Sequence, residues 1–204
     1  MVLAKTNPLD REVRELVKHA YAHAPAVKKI FDAAGIKPRD IKTVSDLERV
    51  PVTSKDRLAE LQRESPPFGG FLAENPKCLK RIYQSPGPLY EPEGAEKSIA
   101  RVGAQVFRAA GIQRGDVVLN ALTYHLAPGG WVLDTSLLHA GAVIVPAGVS
   151  STELQVKVLL DLHVRGYAGT PSFLMNLFRK AEEMGIRVKE QLALRVAVFT
   201  GEPY

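Results

Sequence analysis

His19 and His23 stand four residues apart, a spacing that puts two imidazoles on one helical face and would suit a metal ion. No glutamate or third ligand accompanies them in a His-Glu-x-x-His pattern, so a surface pair is expected and no metal site is assigned. Cys78 is the only cysteine, and no histidine lies near it in sequence to draw off its proton. Ser85 and Ser172 lack the Gly-x-Ser-x-Gly turn that exposes a hydrolase nucleophile. His139 and His163 fall within expected helices and read as structural. No catalytic residue is assigned on these grounds. Any site must come from loops that the fold gathers, so the elements matter first.

The chain has 204 residues, with 46% hydrophobic and 24% charged residues. That suits a globular chain able to bury a core, and it excludes extended disorder. A lone cysteine excludes a disulfide scaffold. Met1–Val13 is charged within five residues and shows no apolar signal segment, so a cytoplasmic chain is expected. The longest uncharged stretch, Thr135–Thr152, is broken by Gly141, Pro146 and Gly148, so no membrane span is expected. The net charge of +5 raises nucleic-acid binding. However, residues 1–80 hold fifteen basic against eleven acidic residues, interleaved as in DREVREL and SKDRLAELQRE. A phosphate-tracking surface wants one sign clustered with aromatics, so a mixed solvated surface is expected instead.

Residues 1–80 read as a helical N-terminal segment. Leu9, Val13, Leu16, Val17 and Ala20 form a helical stripe, Pro25 restarts the chain, Ser45 can cap a short turn, and Thr53 or Ser54 can cap a helix through Leu61. Residues 81–204 change character. Val117–Leu122, Ala142–Val145, Gly166–Gly169 and Leu194–Thr200 are short runs apolar on both faces, as in parallel strands covered by helices. Helices fit between them at Glu93–Ala110, Gly130–Ala140, Ser150–Val164 and Pro171–Met184. The expectation is an α/β fold, a parallel sheet flanked by helices and preceded by a helical segment. Ser150 with Glu153 has capping-box spacing, Thr170-Pro171 reads as an N-cap with proline following, and Gly35, Gly111, Gly141 and Gly185 read as helix C-caps. In such sheets ligands bind beyond the carboxyl ends of the strands. The loops Gln84–Pro92, Thr123–Gly130, Pro146–Ser151 and Thr200–Tyr204 are therefore the candidate site, with Thr170-Pro171-Ser172 at the same edge.

Several stretches resemble the N-terminal half of phenylacetate–coenzyme A ligase-type proteins of the adenylate-forming superfamily. They are FDAAGIKPRDIKTVSDLERVPVTSKDRL, RIYQSPG, YHLAPGG, HAGAVIVPAG, STELQ, GTPSFLMNL and LRVAVFTGEPY, in family order. The resemblance implies an acyl adenylate formed from a carboxylate and ATP with Mg, followed by thioester formation with coenzyme A. It implies nucleotide-binding roles for Ser85, Gly87, Gly201, Glu202 and Pro203. It implies an acyl pocket at Tyr124, His125, Ala127 and Gly129. It also implies that 204 residues are about half of what the chemistry uses. The expected partners are then a complementary polypeptide or a second copy, and a small carboxylate. The strand ending near Thr200 would leave a sheet edge that wants a neighbour.

The matching segments also depart from the family. Its phosphate loop reads approximately Ser-Ser-Gly-Thr-Thr-Gly-Lys-Pro. Here the register reads Ser85-Pro86-Gly87-Pro88-Leu89-Tyr90-Glu91-Pro92. Pro86 and Pro88 remove two N–H donors and Leu89 removes a hydroxyl. Glu91 places negative charge where the family has positive. Two unit charges about 5 Å apart repel by roughly 3 kcal/mol at an effective dielectric of 20. Ala127 stands where the family has an aromatic, so a differently shaped acyl cavity is expected. Two functions stay open: a ligase relative active only when completed by further polypeptide, and a non-catalytic interaction module on the same fold.

Overall fold

The computed structural model describes residues 7–95 and 98–203. The chain divides into two compact units, Met1–Ala95 and Glu96–Tyr204.

The first unit begins with α1 (Pro8–His23) and α2 (Pro25–Ala33), each opened by a proline whose missing N–H costs nothing at a helix start. Val17, Phe31, Ile36 and Ile41 form its small core. A 3-10 turn at Val44–Arg49 follows. Its cap is Thr43, which exchanges hydrogen bonds with Asp46, rather than the expected Ser45. Helix α3 (Lys55–Glu64) is capped by Ser54, whose Oγ accepts from Arg57 N–H at 3.2 Å.

The unit closes with an antiparallel hairpin, β1 (Arg81–Ser85) and β2 (Leu89–Glu93), in register from Arg81↔Glu93 to Ser85↔Leu89. Residues 84–92 were expected to be an open loop. Instead only Pro86-Gly87-Pro88 connects the strands. Ile82, Tyr83 and Tyr90 supply the β-branched and aromatic residues that favour pairing.

The second unit is the expected α/β layer. Strands β3 (Val117–Asn120), β4 (Val143–Pro146), β5 (Gly166–Gly169) and β6 (Val196–Phe199) form one parallel sheet in the order β4-β3-β5-β6. Helices α4 (Ser98–Ala109), α5 (Gly129–Ala140), α6 (Thr152–Asp161), α7 (Pro171–Glu183) and α8 (Val188–Gln191) surround it. Alternation on β3 sends Val118 into a cluster with Ala104, Phe107 and Leu137. It sends Leu119 into another with Val156, Leu159 and Leu177. Tyr167 and Ala168 divide in the same way on β5. The glycine C-caps form as the pattern predicts. After Gly35, Gly111, Gly141 and Gly185, all at positive φ, the next N–H returns to the preceding helix, as in Ile112 N to Phe107 O at 3.0 Å.

A capping expectation in the second unit also fails. The cap of α6 is Ser151, while Ser150 Oγ accepts from the Gln155 side chain at 3.1 Å. Gln155 is buried and also donates to the carbonyls of Gly148 and Ser150, so Ser150 serves the loop instead of the helix. Among the described residues no helix is long and apolar enough to cross a membrane.

Helices α4 and α5 pack closely because Gly103 has no side chain. A Cβ there would lie 2.1 Å from Ser136 Oγ and 2.6 Å from Ser136 Cβ. Gly103→Val is expected to cost about 1–3 kcal/mol through overpacking. A lower urea midpoint with an unchanged slope, followed by the emission of Trp131, checks this.

Candidate functional site

The carboxyl end of β3 begins the site in the second unit. Asn120 is completely buried at the last position of an otherwise apolar strand. Such a side chain must satisfy its amide or pay a desolvation cost. Its Nδ2 donates to Tyr124 Oη at 2.8 Å and to the Gly130 carbonyl at 2.9 Å, and its Oδ1 accepts from Leu122 N–H at 3.2 Å. Tyr124 Oη in turn donates to Asp134 Oδ2 at 2.9 Å. Trp131 Nε1 donates to the Tyr124 carbonyl at 2.9 Å, and the two rings meet edge to face at 5.2 Å. Burial, then the Asp134 hydrogen bond, pushes the Tyr124 hydroxyl above its ordinary value of 10.0. It stays protonated and keeps donating.

The network fixes the loop from Ala121 to Gly130. Tyr124, His125, Ala127 and Gly129 all lie on it. Tyr124 acts here as a clamp, since its hydroxyl is engaged by Asn120 and Asp134. His125 is exposed. The next residue, Leu126, is 68% exposed with φ of 55°, a left-handed conformation that is strained for a bulky side chain. A tight helix start depends on Gly130, where a Cβ would lie 2.4 Å from the Thr123 carbonyl oxygen. The β4–α6 loop comes alongside, with Gly148 set against the Tyr124 ring.

Residues 200–203 follow β6 and meet the start of α7. Thr170 caps α7, accepting from Phe173 N–H at 3.3 Å. Glu202 lies at that helix end. Its Oε2 accepts from Ser172 N–H at 3.2 Å and its Oε1 from Ser172 Oγ at 2.5 Å. A carboxylate is favoured at a helix N-terminus by the unpaired N–H groups and the dipole. The Ser172 hydroxyl foremost holds the Glu202 carboxyl below its ordinary value of 4.5. Gly201 takes φ of 86° to make the approach. Gly201, Glu202 and Pro203 are exposed, and Tyr204 lies outside the described residues.

Ser85 and Gly87 belong to the hairpin of the first unit. Ser85 Oγ is shielded from solvent and has no hydrogen-bond partner. Gly87, at φ of 139°, is the only one of the three turn residues with an N–H, and the Lys55 side chain packs against it. The hairpin is locked at both ends. Arg81 Nη1 reaches both Glu93 oxygens at 3.1 Å, and Tyr83 Oη donates to Glu93. Burial, then Glu93, pushes the Tyr83 hydroxyl up to about 12. At the turn end, the buried Gln62 pairs with Tyr90 as a strand would, donating to its carbonyl at 2.9 Å and accepting from its N–H at 2.8 Å. A groove of about 490 Å³ lies beside the hairpin, lined by Leu58, Phe68, Phe71, Leu79, Tyr90 and Glu91 among others. Glu91, read from the sequence as a charge facing phosphate, lines this groove.

Known proteins agree with this architecture. No family model matches the chain. A phenylacetate–coenzyme A ligase of Aromatoleum evansii is 32% identical over 92% of the chain, and one of Escherichia coli strain K12 is 31% identical over 92%. The chain is similar to the N-terminal part of phenylacetate–coenzyme A ligases. It spans less than half their length, 43% of each of these two. The crystal structure of an open conformation of 2-hydroxyisobutyryl-CoA ligase, in complex with 2-HIB-AMP and CoA, superposes with a TM-score of 0.90 at 26% identity. The match covers 96% of this chain and 44% of that one. A postadenylation structure of that ligase in complex with 2-HIB-AMP matches equally well, at 27% identity. The fold is thus the N-terminal part of the adenylate-forming ligase fold.

Among the described residues no cluster of three or more potential metal-binding side chains occurs. The His19 and His23 rings lie with centroids 4.6 Å apart, tilted by 46°. Asn120, Trp131 and Asp134 escaped the sequence reading. The one available signal was an asparagine ending an apolar strand.

Asn120→Ala is expected to destabilise by about 1–3 kcal/mol, since it strands the Gly130 carbonyl and Leu122 N–H. It should also redden the emission of Trp131, the single tryptophan; unchanged emission and stability would count against the clamp. Glu202 gives a pH prediction. A lowered folded pKa means its contact is present above pH 4.5 and lost as pH falls through that lowered value. The Ser172 amide resonance should therefore titrate with a midpoint below 4.5, and Glu202→Gln should abolish that titration.

Proposed function

We propose that this chain is the N-terminal part of an AMP-forming carboxylate–coenzyme A ligase, and that adenylation needs the further polypeptide its relatives possess. The observation that carries this reading is identity near 30% over 92–96% of the chain to ligases of which it spans under half. The proposed reaction joins a small carboxylate to ATP as an acyl adenylate, with Mg, and then transfers the acyl group to coenzyme A. Within it the Tyr124–Gly130 loop forms part of the acyl-side wall, with His125 and Ala127 as its variable positions. Gly201, Glu202 and Pro203 form part of the nucleotide-side wall. The small Ala127 favours an acyl group other than a plain aryl one.

The hairpin favours a second reading for the chain by itself, a non-catalytic module derived from the ligase fold. A phosphate cradle requires several backbone N–H groups and hydroxyls converging on oxygens. Between Ser85 and Leu89 there is one N–H, on Gly87, and the Ser85 hydroxyl is shielded. Residues 85–92 therefore do not fit the triphosphate, and no step is assigned to them.

Calorimetry separates the readings. The chain alone is expected to give no saturable heat with Mg-ATP below about millimolar concentration. Micromolar binding would sink the non-catalytic reading. Pro86→Ser, Pro88→Thr and Glu91→Lys together, leaving the buried Leu89 and the clamped Tyr90 untouched, should improve affinity about tenfold or more if the hairpin is the defect.

A further inference from the structure

Acidic and basic residues alternate along the sequence of the first unit, but the fold sorts them. Asp10 Oδ1 accepts from Val44 N–H at 3.0 Å. Asp40 Oδ2 accepts from Lys37 N–H at 2.8 Å, and Asp46 Oδ2 accepts from the N–H groups of Lys42 and Thr43 at 2.9 Å. These three carboxylates are drawn onto the backbone, and Asp32 is shared between Lys28 and Lys37. The basic side chains meanwhile converge. A hollow of about 650 Å³ is lined by Arg14 and Lys18 of α1 and by Lys37, Pro38, Arg39 and Ile41. Its wall has four cations and no acid. The mixed surface expected from the sequence does not hold at this corner.

Such a gathering costs free energy. Arg14 and Lys18 sit one turn apart on α1, a like-charge pairing that weakens a helix. Two of the four cations are held in place. Arg14 Nη1 donates to the Lys42 carbonyl at 2.8 Å, and Lys37 Nζ reaches Asp32 and lies 5.8 Å from the centre of the Tyr21 ring. Among the described residues Lys18 and Arg39 make no ion pair or side-chain hydrogen bond. An external anion would supply the partner that the fold does not. Guanidinium forks suit phosphate oxygens, and lysines add point charge. Linked phosphates bring several charges close together, whereas the carboxylates of a peptide are spread along its chain. Single-stranded nucleic acid wants a basic track with aromatic platforms. The hollow has no aromatic wall, and the Tyr21 ring already carries Lys28 and Lys37.

We propose that the hollow between α1 and residues 37–41 binds a compact polyphosphate, two or more linked phosphate groups that are either free or carried on a small molecule. Arg14 and Lys37 form its fixed part, and Lys18 and Arg39 close on the anion. The proposal does not rest on the ligase reading, and it concerns the first unit alone.

Calorimetry with inorganic tripolyphosphate, at low salt and without magnesium, tests it. A dissociation constant of about 100 μM or below is expected. Raising the salt to about 0.5 M should weaken binding about tenfold or more, because the cations are exposed. Magnesium takes up phosphate charge and should weaken it similarly, so this contact is distinct from any Mg-ATP site at the hairpin. Lys18→Gln with Arg39→Gln should weaken binding about tenfold or more with unchanged melting. Lys29→Gln with Lys77→Gln removes equal charge from exposed positions outside the hollow, and should change affinity less than about twofold. Amide shifts in the unaltered chain should centre on residues 14–18 and 37–41, which locates the site even if a variant fails to fold. Magnesium-free ATP separates the two sources. Equal or weaker affinity means that phosphate alone is recognised. Tighter binding that is lost with Lys18→Gln and Arg39→Gln means that a nucleoside carries the phosphates; both outcomes uphold the proposal. It is overturned by the absence of saturable heat, by amide shifts centred elsewhere, or by equal weakening from the two variant pairs. A single-stranded oligonucleotide that outcompetes tripolyphosphate at these residues also overturns it and makes nucleic acid the occupant.

Discussion

Val118 and Leu119 point to opposite faces of β3, and solvent reaches neither. The rest of the second unit follows from having to cover both sides of a parallel sheet. Parallel strands need crossover connections, and helices are the compact way to make them. Covering both faces divides those helices, with α4 and α5 against Val118 and α6 and α7 against Leu119. The same winding brings the loops after β3, β4 and β6 to one edge. The candidate site is therefore a consequence of burying two consecutive apolar residues.

At that edge the apolar strand gives way to Asn120. An amide buried this deeply could have destabilised the sheet. It is instead fully employed, and it converts strand geometry into loop geometry through Tyr124, Gly130 and Leu122. Tyr124 passes the constraint to Asp134 and Trp131. The loop is thus shaped before any ligand arrives. Its strained residue, Leu126, and its exposed residue, His125, are the parts left to face outward. Recognition on this side would then rest on shape more than on the Tyr124 hydroxyl.

Periodic burial was legible from sequence, and so the four parallel strands, their order along the chain and the glycine C-caps could be anticipated. Local capping was less legible. Ser150 looked like a capping-box serine, but the buried Gln155, whose polar type gives no sign of burial in the sequence, took it for the loop. Thr43 displaced Ser45 because Asp46 could close a reciprocal pair with it. Tertiary hydrogen bonds decided both cases, and spacing rules do not contain them. Resemblance had marked Tyr124 as a pocket residue. Its clamp role became visible only when Asn120 and Asp134 were brought beside it, four and ten residues away on different elements.

The hairpin keeps its frame by contacts that lie outside its turn. Arg81, Tyr83 and Glu93 tie one end together, and Gln62 holds the other through the Tyr90 backbone. None of these contacts involves the turn itself. The turn is consequently free to vary without unpairing the strands. Two prolines there narrow the conformations open to the unfolded chain, and they also delete donors that a phosphate would need. A cradle has to keep its N–H groups unpaired and aimed outward, which leaves them costly when no ligand is bound. Pro86-Gly87-Pro88 carries little such cost, because two of the three N–H groups are missing and the residue bearing the third, Gly87, is exposed. The stability of this hairpin and its capacity to hold an anion are therefore separable properties, and the residues present favour the first.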